Sequence, residues 1–192
     1  LVELGSEQLG FSLLTDRRWR MMTDIPGAAM MRMVEREQSI AQCDFSPLPS
    51  LEAGRQWTLD AFTQDVRRTL GNQLAAINQA DQQLSDSGLR VLRVMASGRA
   101  QDVPIHWILL HVSDDTGRRM LATFTMQADN TEVFAGADTQ IANSLRFLDV
   151  LADSEEDAGG IASPERPPEG SEGTASAVED VSNKVQSTSR LR

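Results

Sequence analysis

Three consecutive segments near the centre of the chain carry the clearest hydrophobic pattern. Residues 89–97, 103–112 and 118–127 are apolar runs of strand length, separated by Gly98 and by the turn-forming residues 115–117. The middle segment is apolar at both odd and even positions: Ile105, Trp107, Leu109, Ile108, Leu110 and Val112. A strand with one face in water alternates between apolar and polar residues, so this strand is predicted to be covered on both faces. The three segments therefore predict an antiparallel meander inside a layered α+β domain.

Shorter alternating segments precede the meander. Residues 9–14 and 17–22 are predicted to be strands, and residues 28–34 and 39–45 are predicted to form a hairpin. Both arms of that hairpin place an apolar residue at every second position, as a half-buried strand does. Their apolar positions are Ala29, Met31, Met33, Ala41, Cys43 and Phe45.

Two segments have helical spacing. The first carries one apolar stripe formed by Leu59, Phe62, Val66, Leu70 and Leu74, spaced by three and four residues. Thr58 is its predicted N-cap, and the helix is predicted to end at Gly71 or to continue to Ile77. Residues 77–84 are accordingly either a polar edge strand or a continuation of this helix. The second segment is predicted to be one helix with Phe134, Ala137, Ile141, Leu145 and Leu148 on one face.

The composition changes after Leu151. Residues 153–190 contain no aromatic residue and are rich in Ser, Glu, Gly, Pro, Asp and Ala. Such a segment cannot bury enough apolar area to offset its ordering entropy. We therefore predict a single α+β domain over residues 1–151, with its core at about 9–148 and an antiparallel sheet flanked by helices in an α/β/α sandwich. Residues 152–192 are predicted to be a disordered, low-complexity acidic tail.

The charge distribution restricts the class of partner. The net charge is −10, of which residues 1–148 contribute −4, with 18 acidic and 14 basic residues, and residues 149–192 contribute −6, with 10 acidic and 4 basic. Nucleic acid and anionic lipid both require a basic surface, so neither is an expected partner. No apolar run is long enough for a membrane span. Because the chain opens on Leu1 rather than Met, we expect a fragment or processed product, and an export signal stays an open alternative.

The two histidines of the chain are candidate reactive groups. His106 and His111 are the only two, and a spacing of five in a strand places them on opposite faces, so they cannot chelate one metal together. His111 lies close in sequence to Asp114 and Asp115, a trio that could bind a cation. The alternative is a histidine at a strand end, followed by a turn whose aspartates bond the backbone. The sequence favours this second interpretation.

Trp57 and Cys43 have two interpretations each. Trp57, before the first helix, either lines a ligand groove or forms the hydrophobic staple that fixes the helix entry angle. Cys43 is the only cysteine, so no internal disulfide can form, and the expected role is that of a buried small hydrophobe. Cys43 could work with a histidine only if tertiary packing brought the two together. No catalytic, cofactor-binding or metal motif is present, so the weak ligand-site candidates are His111, Asp114, Asp115 and Trp57.

The order of elements resembles the PsbP-like superfamily, which includes the extrinsic photosystem II subunit, a nuclear import factor and bacterial lipoproteins. Phe11-Ser12-Leu13 and Trp19-Arg20-Met21 resemble its opening strands, Gly88-Leu89-Arg90-Val91 resembles the approach to its central strands, and Ser144-Leu145-Arg146-Phe147 resembles its closing motif. The similarity covers about residues 9–148 and carries no catalytic residues. It implies a bacterial binding or assembly factor and favours export to the periplasm.

These observations predict a noncatalytic binding or assembly module that acts on a protein partner, with no cofactor. Two alternatives stay open. The chain could be an accessory domain of a longer exported protein. It could also be a small hydrolase or metal-dependent enzyme that uses His111 and Asp114.

Overall fold

The computed structural model describes residues 1–22, 29–52 and 54–149, and its main element is a seven-stranded antiparallel sheet. The strands lie in the order β3-β4-β5-β9-β8-β7-β6. Their bounds are β3 Trp19–Met22, β4 Ala29–Glu35, β5 Gln38–Leu48, β6 Leu74–Leu84, β7 Arg90–Ala100, β8 Val103–Ser113 and β9 Arg119–Gln127. The predicted hairpin and meander are thus both present. The meander joins the hairpin through β9, which pairs with β5.

The meander has the predicted two-sided burial. Residues 107–113 of β8 are all buried. Trp107 and Leu109 face α1 (Leu59–Leu70), on what we call the α1 face, whereas Ile108 and Leu110 join the larger cluster on the opposite face. Because β8 lies between β7 and β9 near the middle of the sheet, both of its faces need apolar side chains.

Helix α1 begins after its predicted N-cap and ends at Gly71, one of the two ends that the sequence left open. The hydroxyl of Thr58 accepts a hydrogen bond from the amide of Ala61 at 3.2 Å, and Gly71 ends the helix at a positive φ of 52°. Phe62 and Val66 are buried against the α1 face of the sheet. Since the helix ends at Gly71, residues 77–84 belong to an edge strand, which resolves the alternatives that the sequence left open.

That edge strand, β6, is polar and irregular. Its pairing with β7 shifts register twice, between Leu74 and Ala76 and between Ile77 and Gln79, and such bulges discourage pairing with another chain. Asp81 forms an ion pair of 2.9 Å with Arg93, which also pairs with Asp138 at 3.2 Å. Arg93 therefore links the edge of the sheet to the helix that carries Asp138.

A second, smaller sheet covers part of the opposite face. It has the order β1-β2-β10, formed by Val2–Ser6, Phe11–Thr15 and Arg146–Phe147. Strand β1 was not predicted, because its five residues carry too little apolar contrast to stand out. Phe11 and Leu13 of β2 are buried in the main core.

The single C-terminal helix predicted from spacing is wrong. The structure has two short helices, α2 (Thr131–Phe134) and α3 (Ala137–Ser144), and Leu145 ends α3 before β10. Gly136 adopts a left-handed φ of 82° between them, a conformation that interrupts a right-handed helix. Phe134 and Ile141 are nevertheless buried in the same core cluster, which is why one helical stripe fitted the pattern.

The α+β class with helices on both faces of an antiparallel sheet is confirmed. Residues 150–192 lie outside the described residues, so the acidic tail and the domain boundary near 151 stay predictions. Within the part of the chain that is described, we find no helix with the length and apolar character needed to cross a membrane.

Candidate functional site

Trp57 and His111, two of the four candidates from the sequence, lie in direct contact. Their rings stack with centroids 5.2 Å apart and planes 14° apart. Phe62 of α1 lies 5.7 Å from the His111 ring and 6.3 Å from Trp57. Trp57 precedes the N-cap and contacts the fourth residue of the helix, which is the geometry of a hydrophobic staple. Trp57 therefore orients the helix and also covers the His111 ring.

His111 is a buried, neutral side chain with an unusual environment. It is 0 % exposed, and neither ring nitrogen has a hydrogen-bond partner among the described residues. Burial, together with the positive charges of Arg119 and Arg90, lowers the pKa of His111 to about 4. Ser113 is also buried, and its hydroxyl is likewise without a partner in the described structure. Two adjacent positions on one strand face thus hold unsatisfied polar groups.

Strand register places Arg90 and Arg119 beside His111 and Ser113. Arg90 of β7 lies opposite Ser113, and Ser113 lies opposite Arg119 of β9. The three residues form one row across the α1 face, next to His111. We call Arg90, His111, Ser113 and Arg119 the polar row.

The guanidinium groups of the polar row bind backbone carbonyls of the segment before α1, which carries Trp57. Arg90 donates to the carbonyl of Trp57 at 2.6 Å, and Arg119 donates through its Nε to the carbonyl of Pro49 at 2.9 Å. The Arg119 guanidinium also lies over the Trp57 ring, 5.4 Å from its centroid. Within the described ranges, neither arginine forms an ion pair with a carboxylate.

Asp114 and Asp115 occupy the turn after β8. The Asp114 carboxylate accepts hydrogen bonds from the amides of Thr116 and Arg118 and pairs with the Arg118 guanidinium at 2.6 Å. Burial opposes ionisation of Asp114, but the bonds from Arg118 and Thr116 outweigh it and lower the pKa of this carboxyl. Asp115 is exposed. Asp114 is therefore engaged with its own turn, and no hydrogen bond joins it to His111 in the described chain.

Cys43 and the histidines do not meet. Cys43 is fully buried on the face opposite α1, beside Phe124 in register, and burial raises the pKa of its thiol well above the usual value. His111 points to the α1 face, so the sheet separates the two. Among the described residues, no group of three or more His, Cys, Asp or Glu side chains is placed to hold a metal ion.

The α1 face has a second notable area, because α1 packs on β6 and β7 and no helix among the described residues packs closely on this face of the strands beyond β9. In register on this uncovered part, Arg20 of β3 lies opposite Arg32 of β4, and Met22 lies opposite Met30. Both arginines are exposed, and both methionines are partly exposed. We call these four residues the Arg–Met patch.

A groove of about 610 Å³ lies near this patch. Its side chains are uncharged, including Gln42, Thr125, Gln127, Asn130, Ile40 and Ile105. Gln42 is the register partner of Arg32, and its amide binds the carboxylate of Asp44 at 2.9 Å. The groove and the Arg–Met patch thus adjoin through β4 and β5.

Comparisons with solved structures show proteins of similar fold. The chain is similar to cyanobacterial PsbP (CyanoP) from Synechocystis sp. PCC 6803, with 15 % identity, a TM-score of 0.52, and coverage of 76 % of this chain and 91 % of that protein. It is similar to LpqN, a protein involved in cell envelope biogenesis of Mycobacterium tuberculosis, with 11 % identity, a TM-score of 0.50, and coverage of 72 % and 83 %. The PsbP-like resemblance is therefore confirmed at the level of the fold.

A structure from Bacteroides thetaiotaomicron VPI-5482 is also similar, with 11 % identity and a TM-score of 0.53. The match includes 77 % of this chain but only 48 % of the Bacteroides protein, so the chain spans about half the length of that protein. Neither a scan against family models nor a search of curated proteins finds a match to this chain.

Sequence reasoning identified Trp57 and His111 but missed Arg90, Ser113 and Arg119. Two of them could have been found from the alternation of side chains in a strand. Ser113 follows His111 by two residues and so shares its face, and the tight turn after β8 places Arg119 opposite Ser113. Arg90 could be placed opposite Ser113 only from the register of β7 with β8. The sequence suggested that these strands pair but did not fix their register.

Proposed function

We propose that this domain is a noncatalytic binding module that docks an acidic segment of a partner protein on the Arg–Met patch. The observation that supports this proposal is the direct opposition of Arg20 and Arg32 on the uncovered part of the sheet. Neither arginine forms an ion pair with any residue that the structure describes.

Like charges directly opposite each other on a sheet destabilise it. A carboxylate supplied from outside would relieve that repulsion and could form bidentate bonds with a guanidinium. The adjacent methionines Met22 and Met30 are flexible apolar side chains, well suited to contacting varied apolar partners. The chemistry of this surface therefore fits a segment that combines acidic and apolar residues.

The adjoining groove extends the surface. It offers amide and hydroxyl groups for a peptide backbone beside the aliphatic side chains of Ile40 and Ile105. Asp44 is the acidic residue that lies beside Arg32 and Met30 among the described positions of this face, and Gln42 already binds its carboxylate. The positive charge of the Arg–Met patch is therefore the dominant feature that a partner would meet.

Fluorescence anisotropy with labelled peptides tests this proposal. An extended peptide of alternating Glu and Leu is expected to bind, and its affinity is expected to fall as salt is added, because exposed charge pairs are screened. The double variant Arg20→Glu/Arg32→Glu should weaken binding by about tenfold or more. The matched variant Arg67→Glu/Arg68→Glu changes the same charge on exposed positions of α1 and should leave binding unchanged.

Two results would reject the Arg–Met patch as the docking surface. The first is equal binding of a Lys-Leu peptide of the same length, which would remove the charge argument. The second is an affinity for the Glu-Leu peptide that the Arg20 and Arg32 changes do not alter.

The location of the domain belongs to the same proposal. We infer that it works outside the cytoplasm as part of a longer exported protein. The fold-level similarity to LpqN, which is involved in cell envelope biogenesis, and to CyanoP supports this inference. Cell fractionation with the full open reading frame tests it, and recovery in the cytoplasmic fraction alone would contradict it.

The hydrolase or metal-enzyme alternative stays a hypothesis. It requires His111 and Asp114 to act together. In the described structure the Asp114 carboxylate is bound by its own turn and by Arg118, so the hypothesis would need a rearrangement of that turn.

A further inference from the structure

We propose that the polar row beneath Trp57 is a binding site for a small oxyanion, a phosphate or carboxylate group. This site lies over β7, β8 and β9, whereas the Arg–Met patch lies on β3 and β4. The two proposals rest on different residues and can fail separately.

The first argument is the charge of the site. Arg90 and Arg119 flank Ser113 on one face of the sheet, and the hydrogen-bond acceptors recorded for their guanidinium groups are neutral: the carbonyls of Trp57 and Pro49 and the amide oxygen of Gln82. A guanidinium that is partly removed from water normally has a carboxylate or phosphate partner. An anion between these two arginines would supply the charge that the described residues do not.

The second argument is the set of unused hydrogen-bonding groups. Both ring nitrogens of His111, the Ser113 hydroxyl and one terminal nitrogen of Arg119 are buried without a partner in the described chain. Buried polar groups are normally satisfied, so a concentration of unsatisfied groups at one place requires an explanation. A neutral histidine offers one N–H donor, serine offers its O–H, and arginine offers several N–H groups. An acceptor with several oxygens complements these donors, while the unprotonated ring nitrogen of His111, itself an acceptor, is not part of that match.

The third argument excludes cations. Two guanidinium groups beside a neutral histidine repel a metal ion or an ammonium group. A metal ion would need further ligands beside His111, and the carboxylate nearest to it in sequence, Asp114, is bound within its own turn. The positive electrostatic potential at the site therefore favours an anion over a cation.

Access to the site depends on the segment around Trp57. Its attachment includes two bonds from arginines to carbonyls, Arg90 to Trp57 and Arg119 to Pro49, and one backbone bond from Leu51 to Gly117 of 3.0 Å. An oxyanion is a stronger acceptor than a carbonyl, because charge-assisted hydrogen bonds are about twice as strong as neutral ones. The anion can therefore replace the two carbonyls as the partner of the arginines while the Trp57 segment shifts outward.

Two probes report on this exchange. The side chains of His106 and His111 are the only imidazoles in the chain, so ring signals in nuclear magnetic resonance separate the site from an internal reference on the opposite face. The fluorescence of Trp57 reports the loss of stacking on His111, and the difference between wild type and Trp57→Phe isolates that signal from Trp19 and Trp107.

The titrations use inorganic phosphate, sulfate and acetate up to about 50 mM at constant ionic strength, a range that detects a Kd near 1 mM. We expect saturable shifts of the His111 signals with at least one of these anions and no shift at His106. A response to phosphate and sulfate but not acetate would assign a phosphate-type ligand, and a response to acetate would assign a carboxylate.

Variants decide whether the arginines hold the anion. Arg119→Gln and Arg90→Gln should each weaken the response at His111 by about tenfold or more, whereas Arg67→Gln, a matched change on the exposed side of α1, should leave it unaltered. Absence of any His111 shift with all three anions would overturn the proposal. A shift that survives both Arg119→Gln and Arg90→Gln would overturn it as well.

Discussion

Acidification from neutral pH should destabilise this protein through His111. His111 is completely buried and its pKa is lowered to about 4, by burial and by the charges of Arg119 and Arg90. In the unfolded chain the same side chain has an ordinary pKa of 6.5. Between these two values the unfolded state binds a proton that the folded state does not, so stability falls as the pH falls.

The magnitude follows from the two pKa values. A folded-state pKa of about 4 and an unfolded-state value of 6.5 predict a loss of about 2–3 kcal/mol in the free energy of unfolding between about pH 7 and pH 4.5. The carboxyls of Asp16 and Asp114 have pKa values below the usual 3.8. Their stabilisation is present above that value and is lost only at lower pH, so it contributes little to this interval.

Urea denaturation at a series of pH values measures this loss. The variant His111→Gln removes the titrating group and should be less stable at pH 7 but flatter in its pH dependence by about 2 kcal/mol. A direct titration of the wild-type ring signals is independent of any variant. A His111 pKa above about 6 in the folded protein, or equal slopes for wild type and His111→Gln, would refute the reasoning.

Three further substitutions test the packing around the site. Phe62→Ala should cost about 3–5 kcal/mol, because Phe62 is 2 % exposed between α1 and the sheet; a loss below about 1 kcal/mol in urea denaturation would show that the side chain is not packed there. Gly117→Ala should cost about 1–3 kcal/mol, since φ is +94° and the new Cβ would meet the carbonyl oxygen of Leu51; an unchanged melting temperature would contradict this contact. Arg93→Met should cost about 2 kcal/mol by leaving the carboxylate of Asp138, 7 % exposed, without its cation, and adding Asp138→Asn should restore part of that loss in the same assay.

The local elements of this protein were largely predictable from the sequence. Alternation located the hairpin and the three strands of the meander, and the apolar stripe with Thr58 located α1. These signals are strong because a strand face or a helix face must be apolar where it is buried. The same spacing rule failed at Gly136, where a left-handed residue splits one apparent helix into two. The spacing of apolar residues cannot reveal a break in a helix when the side chains on both sides of the break are buried in the same cluster.

The candidate site was predictable only in part. Trp57 was expected to be either a groove residue or a staple, and the structure shows the staple contact with Phe62 as well as the stack on His111. A cation site formed by His111, Asp114 and Asp115 was the less favoured alternative, and it rested on closeness in sequence; the favoured alternative was a turn whose aspartates bond the backbone. The aspartates are in a turn that bonds its own backbone, whereas His111 lies inside the sheet.

The sequence by itself determined which residues form strands and α1, which faces of them are apolar, and where charge is concentrated. Each of these properties depends on residues within a few positions of one another. Only the tertiary structure decided that Arg90 and Arg119 flank Ser113, that Trp57 covers His111, and that Arg20 opposes Arg32 on an uncovered part of the sheet. Strand order and register set these neighbours, and a shift of one residue would have sent every side chain to the other face.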